Sequence, residues 1–122
     1  MNPNAELLYF ESPTQWREWL VEHGANVTEL WLGFYKKASS KSGITYEEAV
    51  NEALCYGWID GLTKRVDKDS YKVRFTPRKL KSNWSPYNIK RVEELVRSGK
   101  MTPAGMIYVD AAKKDGRWNE QS

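Results

Sequence analysis

Apolar residues recur at helical spacing in four stretches of the chain and follow strand patterns in three others. Each helical stretch follows a serine or threonine that can act as a cap, and each ends near a glycine. The four predicted helices span residues 13–24, 46–57, 86–99 and 103–116. The three predicted strands, which are rich in aromatic and β-branched residues, span residues 29–36, 58–66 and 71–76. The predicted order of elements is therefore α-β-α-β-β-α-α.

This order predicts an α+β fold in which a small three-stranded antiparallel sheet is covered by helices. The last two strands are expected to form a hairpin across the polar residues 67–70. A chain of 122 residues with no repeat and no long linker is expected to form a single domain over residues 1–122. Within it, residues 1–11 are expected to form an N-terminal arm and residues 119–122 a frayed tail.

The apolar spacing also predicts which side chains are buried. Trp58, directly after the glycine that ends the second helix, is expected to lie between the sheet and at least one helix. The last helix is expected to bury four side chains at spacings of three and four residues. These are Ala104, Ile107, Tyr108 and Ala111.

The segment Gly57-Trp58-Ile59-Asp60-Gly61 marks the change from helical to strand periodicity. Gly57 can adopt the left-handed conformation that ends a helix. Trp58 and Ile59 are too apolar for a free loop, so this junction is expected to be packed. A carboxylate among such neighbours needs hydrogen-bond partners if it is buried. Asp60 is therefore the first candidate functional residue.

Positive charge is concentrated in the middle of the chain. The formal net charge is +3, but residues 1–61 carry −5 and residues 62–91 carry +8. A basic block of this kind suggests an anionic partner, either a small ligand or a nucleic acid. The alternative is a solvated strand face and loop whose lysines and arginines serve only solubility.

Several classes of protein and site are excluded or disfavoured by composition. No run of about 18 apolar residues exists, so no membrane span is predicted. One histidine, His23, and one cysteine, Cys55, cannot form a His/Cys metal cluster or an internal disulfide. The N-terminus has no secretory signal pattern, and together with the lone cysteine this predicts a cytoplasmic protein. No cofactor motif is present, and no catalytic residues are predicted, because neither a nucleophile–base pair nor a glycine-rich phosphate loop is found.

The strongest candidate ligand site lies between the hairpin and the third helix. Cations in this loop precede a helix N-terminus, which favours an anion, and an indole there offers a stacking face. Antiparallel pairing of the hairpin strands should bring Asp60 close to Arg78. The predicted ligand-binding residues are Asp60, Arg78, Lys81, Ser82, Trp84, Ser85 and Asn88. The structural alternative is an Asp60–Arg78 ion pair that fastens the loop to the sheet, with Trp84 as an anchor and Ser85 as a cap only.

Two further functions remain open on the residues alone. If the hairpin register aligns them, Arg65, Lys72 and Arg74 project from one face and could bind nucleic acid through its phosphates. A pocket that gathers Asp60, Arg78 and Trp84 would instead favour an enzyme acting on a small phosphorylated or carboxylated substrate.

Several motifs resemble the YdeI/OmpD-associated family, also called the bacteriocin-protection family, over roughly residues 10–118. They include Gly57-Trp58-Ile59-Asp60-Gly61 and Ser82-x-Trp84-Ser85. Others are Trp16-x-x-Trp19-Leu20, Trp31-Leu32-x-x-Tyr35-Lys36-Lys37, Tyr46-x-Glu48-Ala49-Val50, Ala53-Leu54-Cys55-Tyr56 and Phe75-Thr76-Pro77-Arg78.

The resemblance implies a role in tolerance of bacteriocins and cationic antimicrobial peptides and an association with an outer-membrane porin. The missing signal pattern argues against direct contact with a porin. A basic block also repels a cationic peptide, so protection is expected to be indirect. The sequence therefore predicts a bacterial, cytoplasmic, non-enzymatic binding or stress-tolerance protein with an anion-binding basic region.

Overall fold

The computed structural model describes residues 6–118 and contains the seven predicted elements in the predicted order, preceded by one short strand. The helices span Pro13–His23 (α1), Tyr46–Cys55 (α2), Pro86–Arg97 (α3) and Pro103–Lys114 (α4). The strands span Leu7–Leu8 (β1), Leu30–Tyr35 (β2), Trp58–Arg65 (β3) and Ser70–Pro77 (β4). The expected tail at residues 119–122 and the first five residues of the expected arm lie outside the described residues. No helix in the described part of the chain has the length and apolarity needed to cross a bilayer.

The sheet is mixed and four-stranded, in the order β1-β2-β4-β3. The α+β class is confirmed, but the prediction of three antiparallel strands is wrong in detail. β4 pairs antiparallel with both β2 and β3, whereas the two-residue strand β1 pairs parallel with β2. Two residues are too few to show a strand period, and β1 forms because the Trp31 amide donates to the Glu6 carbonyl at 2.9 Å.

The N-terminal segment is held to the sheet by a tyrosine as well as by strand pairing. The Tyr9 ring stacks on Tyr35 with centroids 4.9 Å apart, and its hydroxyl lies 3.0 Å from the Ser70 hydroxyl oxygen. Tyr9 also covers Gly33, where a β-carbon would lie only 2.3 Å from the ring. A side chain at position 33 would therefore displace the arm.

A register irregularity in β3 between Asp60 and Thr63 changes which cations share a face. Beyond it, Lys64 pairs with Lys72, and Arg65 pairs with Tyr71. Directly paired residues share a face of the sheet, and neighbours along a strand alternate. The expectation that Arg65 projects beside Lys72 and Arg74 is therefore wrong, and Lys64 takes its place. The inserted residue is invisible in the sequence pattern, because strand alternation alone does not show a bulge.

The core lies between one sheet face and the helices. Alternate residues of β2 and β4 supply its sheet side, and all four helices contribute buried side chains. The sheet side comprises Leu30, Leu32, Phe34, Val73 and Phe75, each at most 2% exposed. Trp58 joins this core as predicted and is 2% exposed. Its ring packs edge-on against Trp16 and Trp19 of α1, with centroids 6.3 and 5.7 Å apart.

Helix α4 packs on the C-terminal end of α2 through a face that differs from the predicted one. Gly105, Val109 and Ala112 are buried, whereas Ile107 is 57% exposed. A β-carbon on Gly105 would lie 2.4 Å from the Cys55 carbonyl oxygen, so only glycine allows this approach. The buried face of α4 is therefore shifted by one residue from the predicted face, which is the more apolar of the two.

Candidate ligand sites

Arg78 lies beneath the loop that joins β4 to α3 and is only 4% exposed. Its Nε donates to the Ser82 hydroxyl at 3.2 Å, and one Nη donates to the Asn83 carbonyl at 2.8 Å. The Arg78 amide donates to the Gly57 carbonyl at 2.7 Å, which ties the loop to the glycine that ends α2. Burial lowers the pKa of Arg78 to about 10, and the charge of Asp60 opposes this shift.

Trp84 uses its ring within the protein. The Arg78 guanidinium carbon lies 3.7 Å from the centre of the Trp84 ring, and Trp118 packs edge-on against it at 5.0 Å. Trp84 is 9% exposed, and Trp118 is 8% exposed. The predicted stacking of a ligand ring on Trp84 would require Arg78 to leave this position.

Asp60 finds its partner on α2. Its carboxylate accepts a short hydrogen bond from the Tyr46 hydroxyl, and within residues 6–118 no ion pair joins it to Arg78. The two charges are near enough for Asp60 to raise the pKa of Arg78, but the direct Asp60–Arg78 pair of the structural alternative is absent. Asp60 and Arg78 therefore interact through their charges but do not form the predicted ion pair.

The other predicted residues divide between the cap of α3 and the solvent. The Ser85 hydroxyl accepts from the Asn88 amide at 3.1 Å, which is the ordinary N-cap contact. Lys81 is exposed. The loop is held from its other side by Arg117, which donates to the carbonyl of Leu80 at 2.6 Å and, in a short contact, to that of Ser82.

Three buried donors in this region find no acceptor among the described residues. They are one Nη of Arg78 and the indole nitrogens of Trp84 and Trp118. A guanidinium and an indole can only donate, so each of these atoms needs an oxygen or a similar acceptor. We call these three atoms the donor cluster.

A cleft that the sequence did not predict opens at the end of the covered sheet face that lies away from Arg78. Its volume is about 630 Å³, within the usual range of about 300–1,000 Å³ for small-molecule sites. The aromatic part consists of Phe34, Tyr35, Tyr46 and Tyr71, and the basic part consists of Lys36, Lys37 and Lys41. The loop that joins β2 to α2 supplies all three lysines. We call this site the tyrosine cleft.

The floor of the tyrosine cleft is a packed aromatic group. Phe34 stacks on Tyr71 with centroids 5.4 Å apart, and Tyr46 lies 5.7 Å from Phe34. Burial and the hydrogen bond to Asp60 raise the pKa of Tyr46 well above its ordinary value, and burial raises the pKa of Tyr71. Both phenols are therefore neutral at physiological pH and can donate or accept hydrogen bonds.

Charge in the tyrosine cleft is positive. The ammonium of Lys41 lies 5.9 Å from the Tyr35 ring centre. The acidic residue in the lining, Glu47, is paired outside the cleft with Arg91 at 3.2 Å. The three lysines are therefore not paired with Glu47, whose carboxylate is bound to Arg91.

A sequence signal for this cleft was present. Lys36, Lys37 and Lys41 flank a Ser/Gly loop that directly follows an aromatic strand. A lysine-containing polar loop is equally typical of a solvated connection, and tyrosines on apolar faces are equally typical of a core. The strand and helix tyrosines meet at one place only because β4 lies between β2 and β3, and no local pattern shows this order.

The cations on the other sheet face are largely engaged. The ammonium groups of Lys72 and Lys64 lie 4.6 and 5.7 Å from the ring centre of Trp31, which is 4% exposed. Arg74 makes a short ion pair with the buried Glu29. Arg65, the third predicted nucleic-acid contact, does not share this face and donates to the Asp67 carbonyl at 3.2 Å. These contacts favour the solvated-face alternative over a nucleic-acid surface.

Comparison with known proteins gives one match. The family model of DUF8412, described as a domain of unknown function, matches residues 8–108. Searches found no matching curated protein and no matching solved structure. The match covers strands β2, β3 and β4, the tyrosine cleft, Arg78 and Trp84, and it stops ten residues before Trp118.

Proposed function

The chain belongs to the DUF8412 family, a domain of unknown function, and we propose that it is a non-enzymatic binding protein for a small anionic ligand with a flat ring. The observation that carries this proposal is the tyrosine cleft, where an aromatic floor and three lysines line one open space. Ligand sites commonly combine apolar walls with a few polar groups that fix orientation.

Each part of the cleft has a separate task. The rings of Tyr71 and Tyr46 offer an apolar surface against which a flat ring can pack. The ammonium groups of Lys36, Lys37 and Lys41 attract the negative charge and supply rotatable donors. The Tyr46 hydroxyl is oriented by Asp60 and can still accept a hydrogen bond from the ligand.

The resemblance to the YdeI/OmpD-associated family extends this proposal to the cell. We place the chain in a bacterial cytoplasm, where the bound anion links it to tolerance of bacteriocins or cationic peptides. The lysines of the cleft would repel a cationic peptide, so the peptide itself is not the ligand. Tolerance then follows indirectly, through the anion that the cleft binds.

Calorimetric titration with adenosine 5′-monophosphate tests the binding proposal. Adenosine supplies the ring without the charge, and inorganic phosphate supplies the charge without the ring. If both parts of the cleft act, the nucleotide binds more tightly than either. Replacing Lys37 and Lys41 by Gln should weaken nucleotide binding by about fivefold for each lysine. Lys90→Gln, an exposed site on α3, is the matched control and should change nothing.

Two outcomes would contradict the proposal. One is the absence of saturable binding for all four common nucleoside monophosphates and for benzoate. The other is binding that is equally strong in the chain with both lysines replaced. In that case the basic face around Lys64 and Lys72 becomes the next surface to test, by titration with a single-stranded oligonucleotide.

Tolerance is tested separately, in a strain that lacks the chain and is challenged with a cationic antimicrobial peptide. The unchanged chain and Lys90→Gln should restore survival, and the chain with Lys37 and Lys41 replaced should not. If the nucleotide binds as expected but survival is unaffected, the binding proposal stands and the link to tolerance fails.

A further inference from the structure

In the donor cluster, three buried donors find no acceptor within residues 6–118. Trp84 is its centre, because Arg78 lies 3.7 Å above the Trp84 ring and Trp118 packs against it at 5.0 Å. All three members are at least 91% buried. Each contributes one buried nitrogen that has no hydrogen-bond partner in the described part of the chain. Buried donors of this kind carry a cost comparable to a lost hydrogen bond.

Charges of both signs act on Arg78 in this region: the carboxylate of Asp60 raises its pKa, and the guanidinium of Arg117 lowers it. No carboxylate within the described residues forms an ion pair with Arg78. Arg117 is itself paired with Asp115 at 2.7 Å, so this acid is already engaged. Lys79 and Lys81 lie exposed on the loop above.

The N-terminus of α3 adds positive electrostatic potential close to Trp84. α3, which is 12 residues long, begins directly after the cap Ser85, next to Trp84. The N-terminus of a helix favours negative charge through its free amides and its dipole. The Arg78 guanidinium, which carries the buried and unpartnered Nη, lies over the ring of Trp84, the residue before the cap Ser85.

We infer that the donor cluster binds a compact oxyanion, such as a phosphate group, beneath the loop formed by residues 79–83. A tetrahedral oxyanion carries several acceptor oxygens, enough to accept from one guanidinium nitrogen and two indole nitrogens. Its charge also compensates a buried guanidinium, which a water molecule cannot do. This site is separate from the tyrosine cleft and does not depend on the proposed function.

The inference is tested by titrating the full chain with inorganic phosphate at constant ionic strength, using potassium chloride as the reference salt. Phosphate should bind saturably and raise the thermal midpoint above that in chloride. Trp84→Phe and Trp118→Phe keep the rings but remove the donors. Each should weaken phosphate binding by about tenfold or more, because hydrogen bonds to charged groups are strong.

Trp31→Phe is the matched control, because Trp31 is equally buried but lies on the opposite sheet face. It should leave phosphate affinity unchanged. If one indole variant does not fold by circular dichroism, the other variant and Arg78→Lys decide, since lysine keeps the charge and loses the fork.

The lysine variant of the tyrosine cleft separates the two sites. With Lys37 and Lys41 replaced by Gln, phosphate affinity should be retained at the donor cluster. If phosphate binding is lost in that variant and retained in both indole variants, the anion belongs to the tyrosine cleft and the inference is overturned. Equal midpoints in phosphate and chloride would overturn it as well.

Discussion

The two ends of the covered sheet face are both aromatic, yet they differ in what covers them. At one end α1 covers the sheet, and its Trp16 packs against Trp58; the two are 0% and 2% exposed. At the other end Tyr46 is 36% exposed, and a polar loop replaces the helix. Indoles fill the closed end, whereas phenols line the open one.

This difference shows how one sheet face can serve stability and binding separately. A tryptophan contributes a large apolar area, and a helix above it excludes water. A tyrosine keeps a polar group that can face solvent or a ligand, and loops positioned by a rigid scaffold often carry function. Variants at the closed end should therefore change stability, and variants at the open end should change binding.

The largest effect is expected at the closed end. Trp58→Ala removes a buried indole that packs edge-on against Trp16 and Trp19, so the free energy of unfolding should fall by about 3–5 kcal/mol. Urea denaturation followed by circular dichroism measures this change. An unchanged midpoint would show that the closed end does not support the fold.

A smaller loss is expected at the junction of α2 and β3. Gly57 has φ of +77°, and a β-carbon there would lie 2.5 Å from the Tyr108 ring. Gly57→Ala adds backbone strain of about 1–2 kcal/mol to a steric clash of about 1–3 kcal/mol. Gly99 has φ of +75° but no atom within 4 Å of its β-carbon position, so Gly99→Ala measures the strain alone. Equal midpoints for the two variants would contradict the close contact with Tyr108.

Tyr46→Phe, at the open end, should lower the free energy of unfolding by about 0.5–1.5 kcal/mol through loss of the bond to Asp60. The folded protein raises the pKa of Tyr46 above the unfolded value of about 10. As the pH rises above about 10, the unfolded chain loses the Tyr46 proton while the folded chain keeps it. The contribution of Tyr46 to the free energy of unfolding is therefore complete below about pH 10 and declines above it. Denaturation at pH 8 and pH 10.5 should show a shallower loss for Tyr46→Phe than for the unchanged chain.

The smallest stability change is expected for Lys41→Gln, within about 0.5 kcal/mol, because the residue is exposed. The same variant should weaken ligand binding. A stability loss as large as that of Tyr46→Phe would mean that Lys41 holds the loop rather than a ligand. Urea midpoints and calorimetry on the same preparations separate these outcomes.

Local signals predicted the helix starts well. Ser12, Thr45, Ser85 and Thr102 each accept a backbone amide as caps, and Thr45 forms a full capping box with Glu48. Side-chain and backbone partners three residues apart are enough to fix such a start. The element order followed from these starts and from the strand patterns between them.

Features that depend on distant contacts were not predicted. The face of α4 is chosen by the fit of Gly105 against Cys55, fifty residues away, and not by the stronger apolar stripe that contains Ile107. The residues of the candidate site behaved in the same way. Arg78 and Trp84 were predicted to belong to one ligand site, but their direct contact and the Tyr46–Asp60 bond arise from tertiary packing.

The central place of β4 has a consequence during synthesis. β2 pairs with β4 from Leu30–Phe75 to Tyr35–Ser70, and its other partner is the two-residue β1. Translation proceeds from the N-terminus, so the apolar β2 is complete long before its main partner exists. Unpaired apolar strand edges attract other chains. A ribosome that stalls between residues 36 and 69 therefore holds a nascent chain with an unprotected edge, and a chaperone is expected to meet it there.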